Sequence, residues 1–578
     1  MPPAAPESGG RRPRRSCSSA VKISYTEAGS SEDDDSEDAS GGSSSEDDSK
    51  GGGSRASAGR RSASDLEPED DVLEDEPVAA VAAKSKSRGG KKDRDKWTKP
   101  APPDRGSAGV DPEDLPVIRC PHDMFRDLMG RAPRVEGALA ALARPLRVAT
   151  MCSGTESPLL ALSMICNAAK ELYGAELQIE HVFSCEIEPF KQAYIERNFS
   201  PPILFRDIRE LGGEKATTAY GSLVEVPGEV DLLVAGTSCV DYSNLNNEKK
   251  DLDAKGESGQ TFRGMMQWVV KNRPPLVILE NVCGAPWERV AERFEENGYN
   301  AGFMRVDTKL HYIPHTRTRG YLLATLDSDK TIPLQWQDLV RRLERPSSST
   351  LEAFLLPNDD PRVHSARAAL AGKQDTQKAR PRTDWGRCET RHQRARLEEE
   401  LGVKRPLTGW EDGGLCKLPD YAWTDWGRSQ VDRVLDLMDI NLLRLAKKGQ
   451  DPMYKTLVWN LSQNVDRTTG SVRPGICPCL TPSMVPFVTN RGGPLVGLEA
   501  LSLQGIPVDD LLLTRESEDN MADLAGNAMT TTVVGTAILA AILLTAEPGA
   551  PRTRRAGAGR FCAGAMCAHA RARAEQLL

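Results

Sequence analysis

A thiol and two carboxylates stand where apolar runs give way to polar loops. Cys239 follows the run in "DLLVAGTSCVDYSNLNN", Asp231 to Asn247, and Glu280 closes the run in "VILENV". A third acid, Glu186, ends "IEHVFSCE". Free cysteine is among the most buried side chains, so packing alone would account for Cys239 taken by itself. The carboxylates are harder to explain in that way, because burying Glu280 without a partner costs several kcal/mol. A thiol and an acid at neighbouring run ends are the parts of a reaction site, and Glu186 is suited to hydrogen-bond a ribose.

The elements that must carry these residues alternate along the chain. Short β-rich runs recur at "LRVATM", "IEHVFSCE", "VDLLVAG", "PLVILEN" and "GYLLATL", separated by stretches of helical spacing such as "SPLLALSMICNAAKELYG" and "IEPFKQAYIERNF". Alternating strands and helices predict an α/β fold, a doubly wound parallel sheet covered on both faces. Ligands of such sheets sit at the carboxyl ends of the strands. The first run ends in "MCSGTESP", a small-residue loop that opens a helix through Ser157 and Pro158, and "RDIREL" places Asp207 in a further loop.

Composition sets the frame around this core. Residues 1–115 are dominated by Ser, Gly, Pro and charge, which predicts a disordered tail. That segment holds 25 Asp+Glu and 18 Lys+Arg, a net of −7 out of −8 for all 578 residues. The acidic balance therefore belongs to the tail and does not argue against a nucleic-acid partner for the remainder. Serines among the tail's acids are candidate phosphorylation positions, and the basic clusters at Arg11 to Arg15 and Lys84 to Lys99 are candidate nuclear-import or nucleic-acid patches. The N-terminus has no apolar signal-peptide stretch, and "VVGTAILAAILLTA" is short for a membrane span and reads as a core helix. Among 13 cysteines no C-x-x-C pair occurs, and Cys477 with Cys479, or Cys562 with Cys567 and His569, fit no common metal spacing. No metal site and no membrane partner are expected.

In order and interval, the motifs of residues 145–545 resemble those of the DNA cytosine-5 methyltransferases, as a divergent member. The resemblance implies a Rossmann-like methyltransferase sheet and S-adenosylmethionine as cofactor. "MCSGTESP" matches the cofactor loop and assigns Cys152, Ser153, Gly154 and Thr155 to it. Glu186 with Ile187 matches the ribose and adenine position, Asp207 with Ile208 the adenine contact, and Asn527 in "LAGNAMTTTVV" the return to the cofactor side. "TSCVDYSN" matches the nucleophile loop, "ENV" the Glu-Asn-Val motif, and "HTRTR" the Gln-x-Arg-x-Arg motif. Carbon 5 of cytosine is a poor nucleophile, so the family adds a thiolate to carbon 6 of a base flipped from the duplex. By resemblance Cys239 is that thiolate and Glu280 stabilises the intermediate at ring nitrogen 3. Arg319, with Arg317 nearby, holds the carbonyl and favours the ionised thiol.

Several positions depart from the family pattern. Ser238 stands where the family has proline, Val240 where it has glutamine, and His315 where it has the first Gln of Gln-x-Arg-x-Arg. Cys152 and Ile187 replace aromatics, and Glu156 and Ser157 replace glycines. The organisation expected is a tail over 1–115, a catalytic domain over 116–330, an inserted target-recognition region over 331–480, a return to the catalytic domain over 481–547 and a basic tail over 548–578. Residues 361–408 carry 12 Lys+Arg against 6 Asp+Glu, enough to neutralise several phosphates. "TDWGR" occurs twice, around Trp385 and Trp426, and reads as two similar turns with packed tryptophans or as paired nucleic-acid contacts. Gln463 and Arg467 in "WNLSQNVDR" are further candidates for substrate contact. DNA is the expected partner and the nucleus the expected compartment. The same chemistry on tRNA and a catalytically weak chromatin-associated module remain as alternatives.

Overall fold

The computed structural model describes residues 115–142, 144–243, 249–377, 385–409, 425–467 and 474–546. The expectations for both tails, and for Cys562, Cys567 and His569, lie outside them.

All five apolar runs become strands of one sheet. These are β1 (Leu146–Met151), β2 (Ile179–Cys185), β4 (Leu232–Gly236), β5 (Leu276–Asn281) and β7 (Thr318–Thr325). Two strands escaped the sequence reading: β3 (Leu204–Phe205), only two residues long, and β6 (Asn300–Asp307), whose mostly half-buried residues give no apolar run. The order is β3-β2-β1-β4-β5-β7-β6. Strands β1 to β5 pair in parallel, whereas β7 runs antiparallel to both β5 and β6. The expectation of a wholly parallel sheet is corrected there. Residues 308–317 join β6 to β7 without a crossover helix, so the two can pair only as an antiparallel hairpin.

Alternate residues of each central strand feed two separate cores, as a sheet covered on both faces requires. Leu146, Val148, Leu232, Val234, Leu276 and Ile278 face one side. Helices α1 (Pro121–Arg131), α2 (Ser157–Tyr173) and α3 (Pro189–Phe199) pack there. Ala149, Met151, Leu233, Ala235, Val277 and Leu279 face the other, under α4 (Glu257–Asn272) and α5 (Trp287–Glu296).

Helix α6 (Ile332–Arg342) returns to the first face. Its Trp336 is fully buried and donates from Nε1 to the Ala537 carbonyl at 2.9 Å. The sequence reading placed this helix at the start of the recognition region, but its apolar stripe completes the sheet core.

A second lobe has its own core of Trp426, Leu437, Met438, Ile440, Trp459 and Phe487. It contains α7 (Trp385–Glu398), α8 (Asp432–Lys447) and a three-stranded antiparallel sheet of residues 458–460, 486–488 and 493–494. The two tryptophans of the repeated pentapeptide stand in helices rather than turns, Trp385 opening α7 and Trp426 in the short helix Asp425–Arg428. Trp426 is buried and stacks on Phe487 at 6.1 Å.

The lobe's polar interior centres on Asp436, which takes Arg396, Arg405 and His392 at 2.7, 2.8 and 2.9 Å. Burial works to raise its carboxyl, but hydrogen bonds from His392 and Arg396 and the charges of Arg396 and Arg405 hold it down at about 2. Arg396, expected among phosphate contacts, is therefore an interior residue, and Arg391 pairs with Asp466 at 2.5 Å. Arg394 is exposed.

Past the lobe come α9 (Glu518–Asn527) and α10 (Thr531–Thr545). The stretch Glu518–Thr545 is long and apolar enough to cross a membrane, yet 83% of its most apolar window is buried in the fold. As read from the sequence, α10 is a core helix. At Gly535 a Cβ would come within 2.4 Å of the Phe125 ring, so glycine is what lets α1 lie against α10.

Candidate active site

The nucleophile candidate lies three residues beyond the last residue of β4, in a turn where Tyr242 N and Ser243 N both donate to the Cys239 carbonyl at 2.9 Å. The thiol is thus carried by a loop rather than by the strand itself. That turn is gripped from the next strand. At the end of β5, Asn281 Nδ2 donates to the Thr237 carbonyl at 2.9 Å and reaches the Ser238 carbonyl at 3.4 Å. Its neighbour Glu280 lies in register with Gly236 and is 8% exposed. A Cβ on Gly236 would come within 2.8 Å of the Met529 methyl and 3.6 Å of Glu280 Oε2. A side chain there would have to displace the Met529 methyl, which lines the same pocket as Gly236 and Glu280.

Arg319 holds the centre of the site. Its Nε lies 3.6 Å from Glu280 Oε1, Nη1 donates to the Thr318 carbonyl at 2.8 Å, and Nη2 reaches Cys479 Sγ at 3.8 Å. Burial raises the Glu280 carboxyl, and Arg319 and Arg317 oppose that without reversing it. Burial likewise raises the Cys239 thiol, with Arg319 and Arg317 lowering it and Glu280 raising it. Both arginines act on the thiol in the expected direction, but desolvation outweighs their charge.

Arg317 has a different employment from the one expected. Its guanidinium donates to the Leu480 carbonyl at 3.1 Å and the Ala528 carbonyl at 2.7 Å, and it is 3% exposed. It therefore straps two protein segments beside the site, while Arg319 alone of the pair meets the carboxyl. His315, two residues before, serves the same strap. Nδ1 donates to the Leu503 carbonyl at 3.1 Å, and Nε2 accepts from Leu480 N at 3.2 Å. Burial pushes its imidazole down to about 3, so it is a neutral ring with a fixed tautomer.

The loop after β1 builds a pocket lined by Cys152, Ser153, Gly154 and Thr155, with Gly236, Glu280, Asn527 and Met529 closing it. Cys152 and Gly154 both take left-handed backbone conformations, which fold the loop back over the strand end. Glu186 is drawn in by backbone donors, Gly154 N to Oε2 at 2.8 Å and Glu188 N to Oε1 at 3.0 Å. Asp207 sits at the next strand end, where Arg209 engages its carboxylate and holds it below the usual range despite partial burial. Ile187 is 59% exposed, and the Ile208 side chain is buried in the core under the sheet. The structure thus gathers Cys152, Ser153, Gly154, Thr155, Glu186 and Asn527, leaves Ile187 at the surface and uses the Ile208 side chain for packing. Sequence alone does not single out Cys479, which pairs with Cys477 at a spacing that fits no common metal site, or Gly236, one of 49 glycines until its neighbours are seen.

The family model for C-5 cytosine-specific DNA methylases matches residues 159–543. The chain belongs to this family. A DNA (cytosine-5-)-methyltransferase DMT5 of Cryptococcus neoformans var. grubii is 60% identical over 435 residues, covering 74% of this chain and 18% of that protein. The corresponding DMT5 of Verticillium dahliae is 36% identical, covering 68% of this chain and 19% of that protein. The chain therefore spans under a fifth of the length of these relatives. Among solved structures, an Entamoeba histolytica methyltransferase is 12% identical, with 69% of this chain and 98% of that one covered and a TM-score of 0.37. Measured against the C-5 cytosine methylase pattern, His315 is the departure whose consequence is plainest: the ring that replaces glutamine is committed to the strap of residues 477–480. That segment also exchanges backbone bonds with the site, Cys477 N to the Pro314 carbonyl and Thr316 N to the Cys477 carbonyl, both 2.8 Å.

Proposed function

We propose that this chain transfers a methyl group from S-adenosylmethionine to carbon 5 of cytosine in DNA, through a covalent adduct of Cys239 with a flipped base. The observation that carries the reading is the convergence of Cys239, Glu280 and Arg319 beside the pocket of the β1 loop. The cofactor assignment rests on the lining: Cys152 to Thr155 and Asn527 face that pocket, and Glu186 is pinned to the same loop through Gly154 N. Cys152 to Thr155, Glu186, Asp207 and Asn527 would hold the cofactor. When bound, S-adenosylmethionine supplies an electrophilic methyl group.

The remaining steps belong to the chain's own residues. The Cys239 thiolate adds to carbon 6, and the electrons of the 5,6 double bond make carbon 5 nucleophilic. Glu280, whose carboxyl burial raises, donates its proton at ring nitrogen 3 as charge builds there. Arg319 steadies the ionised forms of both groups. Once carbon 5 carries the methyl group it loses its proton to water, the double bond reforms, the thiolate leaves and ring nitrogen 3 returns its proton to Glu280. The lobe of α7 and α8 is the target-recognition region in this reading, and a DNA substrate implies work in the nucleus.

Duplex DNA carrying 5-fluorocytosine tests the assignment, because fluorine blocks the final elimination. Wild-type protein with S-adenosylmethionine should form a stable adduct, faster as pH rises toward the elevated thiol pKa. Cys239→Ser should form none, and Glu280→Gln should slow adduct formation ~10²- to 10⁴-fold. An adduct in Cys239→Ser would show that another cysteine is the nucleophile. An adduct on tRNA in place of DNA would move the substrate to RNA.

A further inference from the structure

Proline normally stiffens the backbone it occupies by fixing φ and removing a donor. Residue 238 of this chain is serine, so the nucleophile turn needs another source of rigidity. The first turn of α4 provides one. Ser238 Oγ donates to Glu257 Oε1 at 2.8 Å. Three residues on, Asp241 and Ser258 bond reciprocally: Asp241 N donates to Ser258 Oγ at 2.9 Å, and Ser258 N donates to Asp241 Oδ2 at 2.8 Å.

Both members of that pair are buried, Asp241 at 2% exposure and Ser258 at 0%. A buried carboxylate with a backbone donor and a reciprocal hydroxyl is a strong, directional clamp. Gly256 makes room for it, since a Cβ there would come within 2.1 Å of Asp241 Oδ2. Lys250 closes the same point from the returning chain, its N donating to the Asp241 carbonyl at 3.2 Å and its ammonium lying 3.6 Å from Oδ1. Cys239 is therefore bracketed, with one tether to α4 just before it and another two residues after.

We infer that Asp241 and Ser258, with Ser238 and Glu257, are positioning residues that fix the nucleophile turn against α4, in place of the rigidity a proline would give. The inference rests on the reading of Cys239 as the nucleophile, and two measurements separate the fates of the two ideas. The first is the rate of adduct formation on 5-fluorocytosine DNA by the full chain. Ser258→Ala should lower that rate by about 10-fold or more, as small misplacements of reacting groups do, with KM for DNA and for S-adenosylmethionine nearly unchanged. Asp241→Asn keeps an acceptor for Ser258 N and should retain most of the rate. Adding Ser238→Pro to Ser258→Ala should recover much of the loss, which repair of a merely structural defect would not do.

The second measurement needs no turnover. Iodoacetamide alkylation of Cys239, followed by peptide mass spectrometry, should be several-fold faster in Ser258→Ala and return toward wild type in Ser238→Pro/Ser258→Ala. If wild type forms no adduct, the nucleophile reading falls and alkylation still decides the tether. Unchanged alkylation in Ser258→Ala, or no recovery with proline, overturns the inference.

Discussion

Glu156 is a carboxyl wholly inside the protein, at a left-handed residue where the sequence comparison anticipates glycine. One oxygen accepts from Thr150 and Ser184, while Oε2 has no partner among the described residues. Burial lifts it from 4.5 to about 7. A raised acid binds its proton more tightly in the folded state, so its contribution is complete below 4.5 and is lost as pH climbs through about 7. His181, linked through Ser184 and pushed down to about 4, has the opposite slope below its ordinary value. The clean measure is the difference between variants. Relative to wild type, the unfolding free energy of Glu156→Gln should move upward as pH rises from about 4.5 to 7, by an amount on the order of 3 kcal/mol, and stay level above pH 8; a flat difference would mean that Glu156 ionises freely. The sequence identified Glu156 only as a side chain where backbone was expected. Residue type shows charge and size, but the hydroxyls of Thr150 and Ser184 meet it only across two strands. Cys239 and Glu280 were legible because each closes an apolar run and strand ends are where such sheets react.

At the scale of elements, α7 shows why a basic segment is not by itself a phosphate-binding face. His392 and Arg396 are four residues apart, share one side of the helix and both reach Asp436 on α8. Arg394 lies between them in sequence and faces outward. If this face meets DNA, Arg394→Ala should reduce the salt slope of binding by about 1, for all sequences alike, without changing stability. Arg396→Ala should do the reverse. It removes part of a buried charge cluster, at a cost on the order of 3 kcal/mol, so urea unfolding of the lobe should come earlier while the salt slope per folded molecule stays as it was. Counting charges over residues 361–408 could not separate these roles, since it ignores helix phase. Helix phase could have done so, had the acidic partner on another helix been known. The strands of the sheet divide in the same way: five announced themselves as apolar runs, whereas β3 is too short and β6 too weakly patterned to be seen alone.

Across the whole molecule, the lobe and the sheet are joined at the candidate active site. Residues 477–480 leave the lobe, bond to His315 and Arg317 and place Cys479 beside Arg319. Arg317→Ala should therefore loosen the lobe, raising KM for DNA and exposing the 474–480 segment to protease, whereas Arg319→Ala should act on kcat; equal effects of both on kcat alone would deny Arg317 its strapping role. A separate consequence follows from the burial of α10 against α1, α2 and α6. The sheet is fully present in the chain once β7 has been made at Thr325, but α10 ends at Thr545. At typical synthesis rates the intervening stretch of about 200 residues takes roughly 10 to 40 seconds to emerge. Through that interval the face that α10 will cover is bare, with Phe125, Ala161 and Trp336 lacking their final neighbour. Newborn chains of this protein should therefore lean on ribosome-associated chaperones, and slowing translation downstream of residue 325 should increase their aggregation.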